Sequence, residues 1–273
     1  MSVEPVTPSE GWGVLHLFFL VRREIASDPH FDTGSAATDF RTRIRAFDER
    51  PDQQVLAFSV LGHKADIGFM ALAPDLAALD RLKVTLTSAP LGQALVLAGS
   101  YLSLTELSEY TPTVEDEARR LVEEEGLPDG SEAHRQALDA FAERMRAYAE
   151  HRLHPQLPAK RVLSFYPMSK RREGADNWYA LDFDERKRLM GGHARVGRTY
   201  RGRVLQLITG SVGLDDWEWG VTLLADEPKA LRDIVYEMRF DAVSARYGEF
   251  GPFVTGLVMS PEALLSHHGL SAG

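Results

Sequence analysis

Two hydrophobic periods alternate along the chain. Val14–Val21 (VLHLFFLV) is a nearly continuous apolar run of β-formers and predicts a strand. Asp39–Asp48 (DFRTRIRAFD) is amphipathic at helical spacing. Val55–Val60 predicts a strand, Gly62–Asp66 a turn and Ile67–Leu72 a second strand. Pro74-Asp75 opens a helix through about Leu86, with Leu76, Leu79 and Leu82 at helical spacing, and Ala94–Leu104 predicts a third strand. The C-terminal half repeats the order. Val162–Phe165 is a short strand, and Asp184–Gly197 begins as a helix with Asp182 and Asp184 as candidate caps. Val204–Thr209 is a strand, Gly213–Asp216 a turn and Trp217–Leu224 a strand. Asp226-Glu227-Pro228 opens a helix to about Met238, since proline is tolerated in the first turn, and Phe253–Met259 closes the set.

The two middles match in pattern: VLAFSV–turn–IGFMALAPDLAALDRL and VLQLIT–turn–WEWGVTLLADEPKALRDI. Their helix starts, Asp75 and Asp226, lie about 150 residues apart. The order reads as two copies of a β-α-β-β-α-β unit. It predicts an α+β fold of two antiparallel sheets, each with helices on one face, whose free faces pack into a barrel-like core. The halves span 1–112 and 159–273. Between them, 113–158 holds an acidic insertion and connecting helices. The acidic part ends at Gly126-Leu127-Pro128, and the second helix carries an apolar stripe at Leu138, Phe141, Met145 and Tyr148. A solvated helical pair is expected there, and a fraying tail over Ser266–Gly273.

Composition narrows the chemistry. No cysteine is present, which excludes disulfides, thiolate zinc, iron–sulfur clusters, a Cys nucleophile and thiolate-bound or thioether-attached haem. With 31 basic and 40 acidic side chains the net charge is −9, which argues against nucleic-acid binding. No apolar run approaches the roughly 20 residues needed for a membrane span. Met1–Gly11 is acidic and polar and does not read as a signal peptide, so a cytoplasmic protein is expected.

No phosphate-cradling glycine loop and no HExxH occur. Among nine histidines only His151/His154 and His267/His268 sit close together, and the latter pair falls in the expected tail. The densest stretch is Tyr166-Pro167-Met168-Ser169-Lys170-Arg171-Arg172, a phenol with three cations after a strand. It suits a polycarboxylate where water is excluded, or is a solvated basic loop. Asn177-Trp178-Tyr179 adds aromatics beside it. His193 follows Gly191-Gly192, small neighbours that let a large flat ligand reach the imidazole.

Several long motifs carry a family resemblance: YPMSKRR (166–172), NWYAL (177–181), RLMGGHARVGRTYRG (188–202), QLITGS (206–211), LDDWEWGVTLLAD (214–226) and YEMRFDAVSARYGEFGPF (236–253). With SVLGHKADIGFMALAPDL (59–76) and SYLSLTELSEYTP (100–112), nearly the whole chain resembles coproheme decarboxylases, the haem-synthesis branch of the chlorite dismutase-like superfamily. Only the acidic insertion at 113–135 has no place in that pattern. The resemblance implies two fused ferredoxin-like halves in a dimeric α+β barrel, assembled as a homopentamer. It implies iron coproporphyrin III (coproheme) as both substrate and redox centre. Hydrogen peroxide would drive oxidative decarboxylation of two of its four propionates to vinyl groups, giving haem b, with transient contact to the coproporphyrin ferrochelatase.

Residue by residue, the resemblance makes His193 the axial iron ligand and Tyr166 the catalytic radical beside a propionate. Arg152, Lys170 and Ser244 match propionate contacts. Arg239 helps nearby, Tyr110 is a further candidate, and Pro167, Met168 and Ser169 complete the substrate-binding stretch. Gln206 stands where chlorite-degrading relatives carry an arginine. A neutral amide cannot supply that charge, which favours decarboxylation. Trp178 either takes oxidising equivalents or simply packs. A distal base, if present, is His151 or His154. The competing readings are a chlorite dismutase or peroxidase-like haem enzyme, and a non-enzymatic haem-binding protein.

Overall fold

Each copy of the repeated pattern folds as one β-α-β-β-α-β unit in the computed structural model, which describes residues 4–271. The first unit comprises β1 (Gly13–Val21), α1 (Arg23–Ala26), α2 (Thr33–Asp48), β2 (Gln54–Val60), β3 (Ile67–Ala73), α3 (Leu76–Ser88) and β4 (Leu95–Thr105). Two connecting helices follow, α4 (Val114–Glu123) and α5 (Glu132–Leu153). The second unit runs through β5 (Val162–Lys170), a small hairpin of β6 (Arg172–Glu173) and β7 (Asp176–Asn177), α6 (Phe183–Thr199), β8 (Val204–Gly210) and β9 (Trp219–Ala225). It ends with α7 (Pro228–Met238), β10 (Gly248–Phe250), β11 (Val254–Met259) and α8 (Pro261–His267).

Within each half the antiparallel strands take the same order, β2-β3-β1-β4 and β11-β5-β9-β8. Two seams join the halves: β11 on β2, from Gly256↔Val60 to Met259↔Ala57, and β4 on β8 at Leu104↔Gly210 and Thr105↔Thr209. Following the pairings from β5 through both seams returns to β5, so eight strands close a ring. The eight ring strands therefore each have two partners in the ring, and only the three-residue β10, paired with β5 alone, keeps an edge in this sheet.

The continuous apolar run of β1 is explained by this ring, because both faces of the strand are covered. Leu15, Leu17, Phe19 and Val21 pack outward with α2 and α3 residues such as Phe40, Ile44 and Leu82. Val14 and Phe18 point inward to Met70, Phe58 and Phe165 of the ring's interior. His16 shares that interior. It is fully buried, stacks on Phe165 at 4.1 Å between centroids and meets Thr222 Oγ1 through Nε2 at 2.9 Å. Burial pushes its pKa down to about 3, so the ring is neutral.

Cap chemistry sets the helix starts. Asp32, Asp75, Ser131, Asp182 and Ser260 each accept a backbone N–H at an N-cap, and Thr113 with Asp116 forms a capping box. Five expectations change. Asp182 alone caps α6, and Asp184 lies in its first turn. The N-cap of α7 is Glu227 rather than Asp226, and it makes no side-chain cap bond. β5 extends to Lys170, so the Tyr166–Lys170 segment is a strand, not a loop after one; its alternating faces are both packed. Ser266–Leu270 is not frayed: Leu264, Leu265 and Leu270 are buried in the core of the first half, and His268 Nε2 meets Ser59 Oγ at 3.0 Å. Ala272 and Gly273 lie outside the described residues. The acidic insertion is also more packed than a solvated pair, since Leu121 and Phe141 are buried and Arg120 clamps Glu117 with two bonds of 2.8 Å. No helix among the described residues is long and apolar enough to cross a membrane.

Candidate functional site

The outer face of the second half's sheet, under α6 and α7, walls a cavity of about 1280 Å³. That exceeds the roughly 300–1,000 Å³ of ordinary small-molecule pockets. The sheet supplies it by register. Tyr166, Val221 and Ile208 form one row across β5, β9 and β8; Met168, Trp219 and Gly210 form the next. Lys170 extends the β5 column, because side chains two apart share a face. Pro167 and Ser169 therefore point the other way: Pro167 packs towards Gly251, and Ser169 Oγ accepts from Glu218 N at 3.3 Å.

Helix α6 forms the opposite wall. His193 and Gly197, four residues apart on α6, both line the cavity, the spacing that puts side chains on one helical face, and Arg201 lines it from the turn just past the helix. Gly197 lets the helix sit close to β8. A Cβ there would lie 3.2 Å from Gln206 Oε1, and Gln206 Nε2 donates to the Gly197 carbonyl at 2.9 Å. Gln206 thus faces the cavity while its amide nitrogen is engaged by α6.

The His193 imidazole is held by Asp241, with Nδ1 and Oδ2 2.9 Å apart. Asp241 also accepts from Ser244 Oγ at 3.0 Å and from the backbone N–H groups of Val243 and Ser244. Burial pushes the Asp241 carboxyl up, yet the His193 bond and charge and the Ser244 bonds outweigh it and hold the pKa below the ordinary value. An ionised Asp241 fixes the tautomer with the proton on Nδ1, leaving Nε2 as the ligating nitrogen. Among the described residues no cluster of three His, Asp or Glu side chains can hold a metal ion.

The polar groups converge. Tyr166 is buried, its ring stacked on Phe253 at 4.3 Å, and burial pushes the phenol up to about 12, against the lowering charge of Arg239. Lys170 Nζ sits 4.7 Å from the Trp178 ring centroid, and burial pushes the ammonium down to about 8, against Asp241 and Glu218. Arg152 donates from Nη2 to Ile208 O at 3.1 Å, while its buried Nε has no partner among the described residues. Such an orphan donor fits an anionic ligand group. Tyr110 accepts from Arg186 Nε at 3.2 Å, and burial pushes its phenol up to about 12.

Of the residues expected from sequence, the cavity wall holds Tyr110, Arg152, Tyr166, Met168, Lys170, Trp178, His193, Gln206 and Ser244. Pro167, Ser169 and Arg239 are not on it; the Arg239 guanidinium lies over the Phe250 ring at 4.8 Å. His151 lines the cavity, whereas His154 turns to Glu150 and the Trp12 ring. Sequence reading missed Asp241, Glu106, Arg198 and Arg201. The two arginines sit in the RLMGGHARVGRTYRG stretch with His193, so their nearness to it in the chain was legible. Asp241 was not, because a carboxylate 48 positions away shows no local pattern.

The chain matches the family model described as chlorite dismutase over residues 34–259. A solved structure described as a novel heme-binding protein from Thermus thermophilus is 36% identical, covers 98% of this chain and 100% of its own, and superposes with a TM-score of 0.79. The chlorite dismutase from Candidatus Nitrospira defluvii in complex with imidazole is 17% identical over 96% of this chain and 97% of its own, with a TM-score of 0.71, a likeness of fold. With a family match over most of its length, a full-length relative above one-third identity and the same doubled sheet, this chain belongs to the chlorite dismutase family.

Proposed function

We propose that the protein is a coproheme decarboxylase, which converts two propionates of iron coproporphyrin III to vinyl groups with hydrogen peroxide and yields haem b. The observation that carries this reading is one large cavity shared by an Asp241-oriented His193, the buried phenol of Tyr166, and the cations Lys170 and Arg152. The heme-binding description of the 36%-identical relative supports an iron porphyrin as the ligand class. Cations on the cavity wall, Lys170 among them buried, suit a ligand with four carboxylates better than one with two. A chlorite-splitting reading calls for a cation where the neutral Gln206 stands.

His193 binds the iron through Nε2 while Asp241 keeps the proton on Nδ1. Lys170 and Arg152 hold propionates, and a carboxylate beside Lys170 favours its charged form. The bound iron porphyrin, once peroxide has oxidised it, supplies a one-electron oxidant. Tyr166 starts as neutral phenol, because burial keeps its proton on at neutral pH. It gives up that proton with one electron, and its phenoxyl radical takes a hydrogen atom from the propionate β-carbon. Loss of a second electron releases carbon dioxide and leaves the vinyl group. Two electrons leave each propionate, which matches one hydrogen peroxide reduced to two waters.

The test is a peroxide titration of the coproheme-loaded protein, with mono-vinyl and di-vinyl porphyrins followed by mass spectrometry. Their absence refutes the reading. Tyr166→Phe should bind coproheme and convert none; conversion at the normal rate refutes the role of Tyr166.

A further inference from the structure

Glu106 follows β4 directly and reaches into the cavity on the sheet side, opposite the helix that carries His193. Three elements shape its place. Trp219 of β9 donates from Nε1 to Glu106 Oε1 at 3.0 Å. Gly210 of β8 leaves the room, because a Cβ there would collide with Oε2. Arg152 of α5 donates to the Glu106 carbonyl at 3.4 Å. Oε2 has no donor among the described residues. A half-buried carboxylate held by one indole and otherwise turned to a large cavity does no cross-linking that a glutamine would not do as well.

We propose that Glu106 is the proton acceptor and donor of this cavity for a small protic ligand that binds on the sheet side of an iron porphyrin. The proposal rests on the reading that His193 holds an iron porphyrin from the α6 side. An iron porphyrin held by His193 from α6 would share the cavity with the sheet wall that Glu106 lines. Hydrogen peroxide gives one proton to the carboxylate as it binds. Glu106 returns that proton to the departing hydroxide, which leaves as water. The two electrons that break the O–O bond come from the bound iron porphyrin.

The carboxyl is tuned for this work. Burial pushes its pKa up, against the Trp219 bond and the Arg152 charge, and Glu109 on its own loop adds to the rise. Those are the charged groups facing it: Arg152 from α5 and Glu109 from the loop, while β8 offers Gly210 and β9 offers Trp219. A group poised nearer neutral pH accepts and releases a proton more effectively than an ordinary carboxylate.

Cyanide binding to the ferric haem b-loaded protein tests the inference without any turnover. Hydrogen cyanide must lose its proton on binding, whereas carbon monoxide on the ferrous protein loses none. In the wild type, cyanide association should rise with pH as Glu106 ionises. Glu106→Gln should slow it by at least about 100-fold, the lower end for one general base, and abolish that rise, with carbon monoxide association unchanged. Trp219→Phe keeps the carboxylate but removes a donor that favours its ionised form, so the midpoint should move to higher pH. An unaltered cyanide rate in Glu106→Gln, equal slowing of carbon monoxide, or an unmoved midpoint in Trp219→Phe overturns the proposal. Cyanide association needs only bound haem, so it reads Glu106 even if Tyr166 decarboxylates nothing. A wild type that binds no iron porphyrin overturns both.

Discussion

His193 shows how much one hydrogen bond decides at the scale of a residue. A neutral imidazole can present either nitrogen, and the carboxylate at Nδ1 makes the choice. Asp241→Ala should lower the iron–histidine stretching frequency of the ferrous haem-loaded protein by resonance Raman, because the imidazole loses anionic character. An unchanged frequency would mean that Asp241 does not tune the ligand. Lys170 makes a separate pH prediction. Its pKa is pushed down to about 8 in the folded, ligand-free protein, whereas the unfolded chain binds the proton up to the ordinary lysine value. Between these values the unfolded state carries more protons, so stability rises with pH through that window. Denaturant unfolding of the ligand-free protein should show this rise, and Lys170→Met should lack it.

At the scale of elements, the same local rules give different consequences in different places. The capping box at Thr113 starts a helix inside the acidic insertion, away from the ring. Thr113→Ala should cost about 1 kcal/mol and speed hydrogen exchange along α4, with the haem spectrum unaltered. The stretch from Ser266, which runs through the end of α8, reads as a fraying tail in the sequence, yet Leu270 beyond that helix is fully buried. Leu270→Ala should destabilise the protein by roughly 2–5 kcal/mol, measured by chemical denaturation. A change below about 0.5 kcal/mol would restore the fraying tail. The strand β5 is the instructive middle case. Tyr166, Met168 and Lys170 were legible as chemistry, but only the two-residue alternation separates them from Pro167 and Ser169, which face away.

For the whole molecule, the two seams turn a repeated motif into a closed ring. Gly256 sits at one seam, where a Cβ would lie 2.5 Å from Phe58 Cδ2 and 2.7 Å from Ser59 O. Backbone cannot move aside as a flexible side chain can. Gly256→Val should lower the melting temperature of the whole protein, not of one half, and a calorimetric trace with an unmoved Tm would contradict that. Ring closure also redistributes charge. The net −9 is an average over a surface that includes the acidic insertion. The cavity itself gathers Arg152, Lys160, Lys170, Arg198 and Arg201 against Glu10, Glu106 and Glu109.

By itself the sequence determined the element order, the duplication and most of the candidate site side chains that meet at the cavity wall. Those follow from local periodicity, cap and turn chemistry, and long motifs that resemble a family. Only the tertiary structure decided which carboxylate holds His193, which of His151 and His154 faces the cavity, and that Glu106 stands on the sheet wall beside Trp219. These facts join residues distant in the chain and depend on strand register and seam pairing. The helix α6 and the bend after α7 bring His193 and Asp241 together, and the pairing of β4 with β8 and of β8 with β9 sets Glu106 beside Gly210 and Trp219, none of which the hydrophobic pattern of one segment contains.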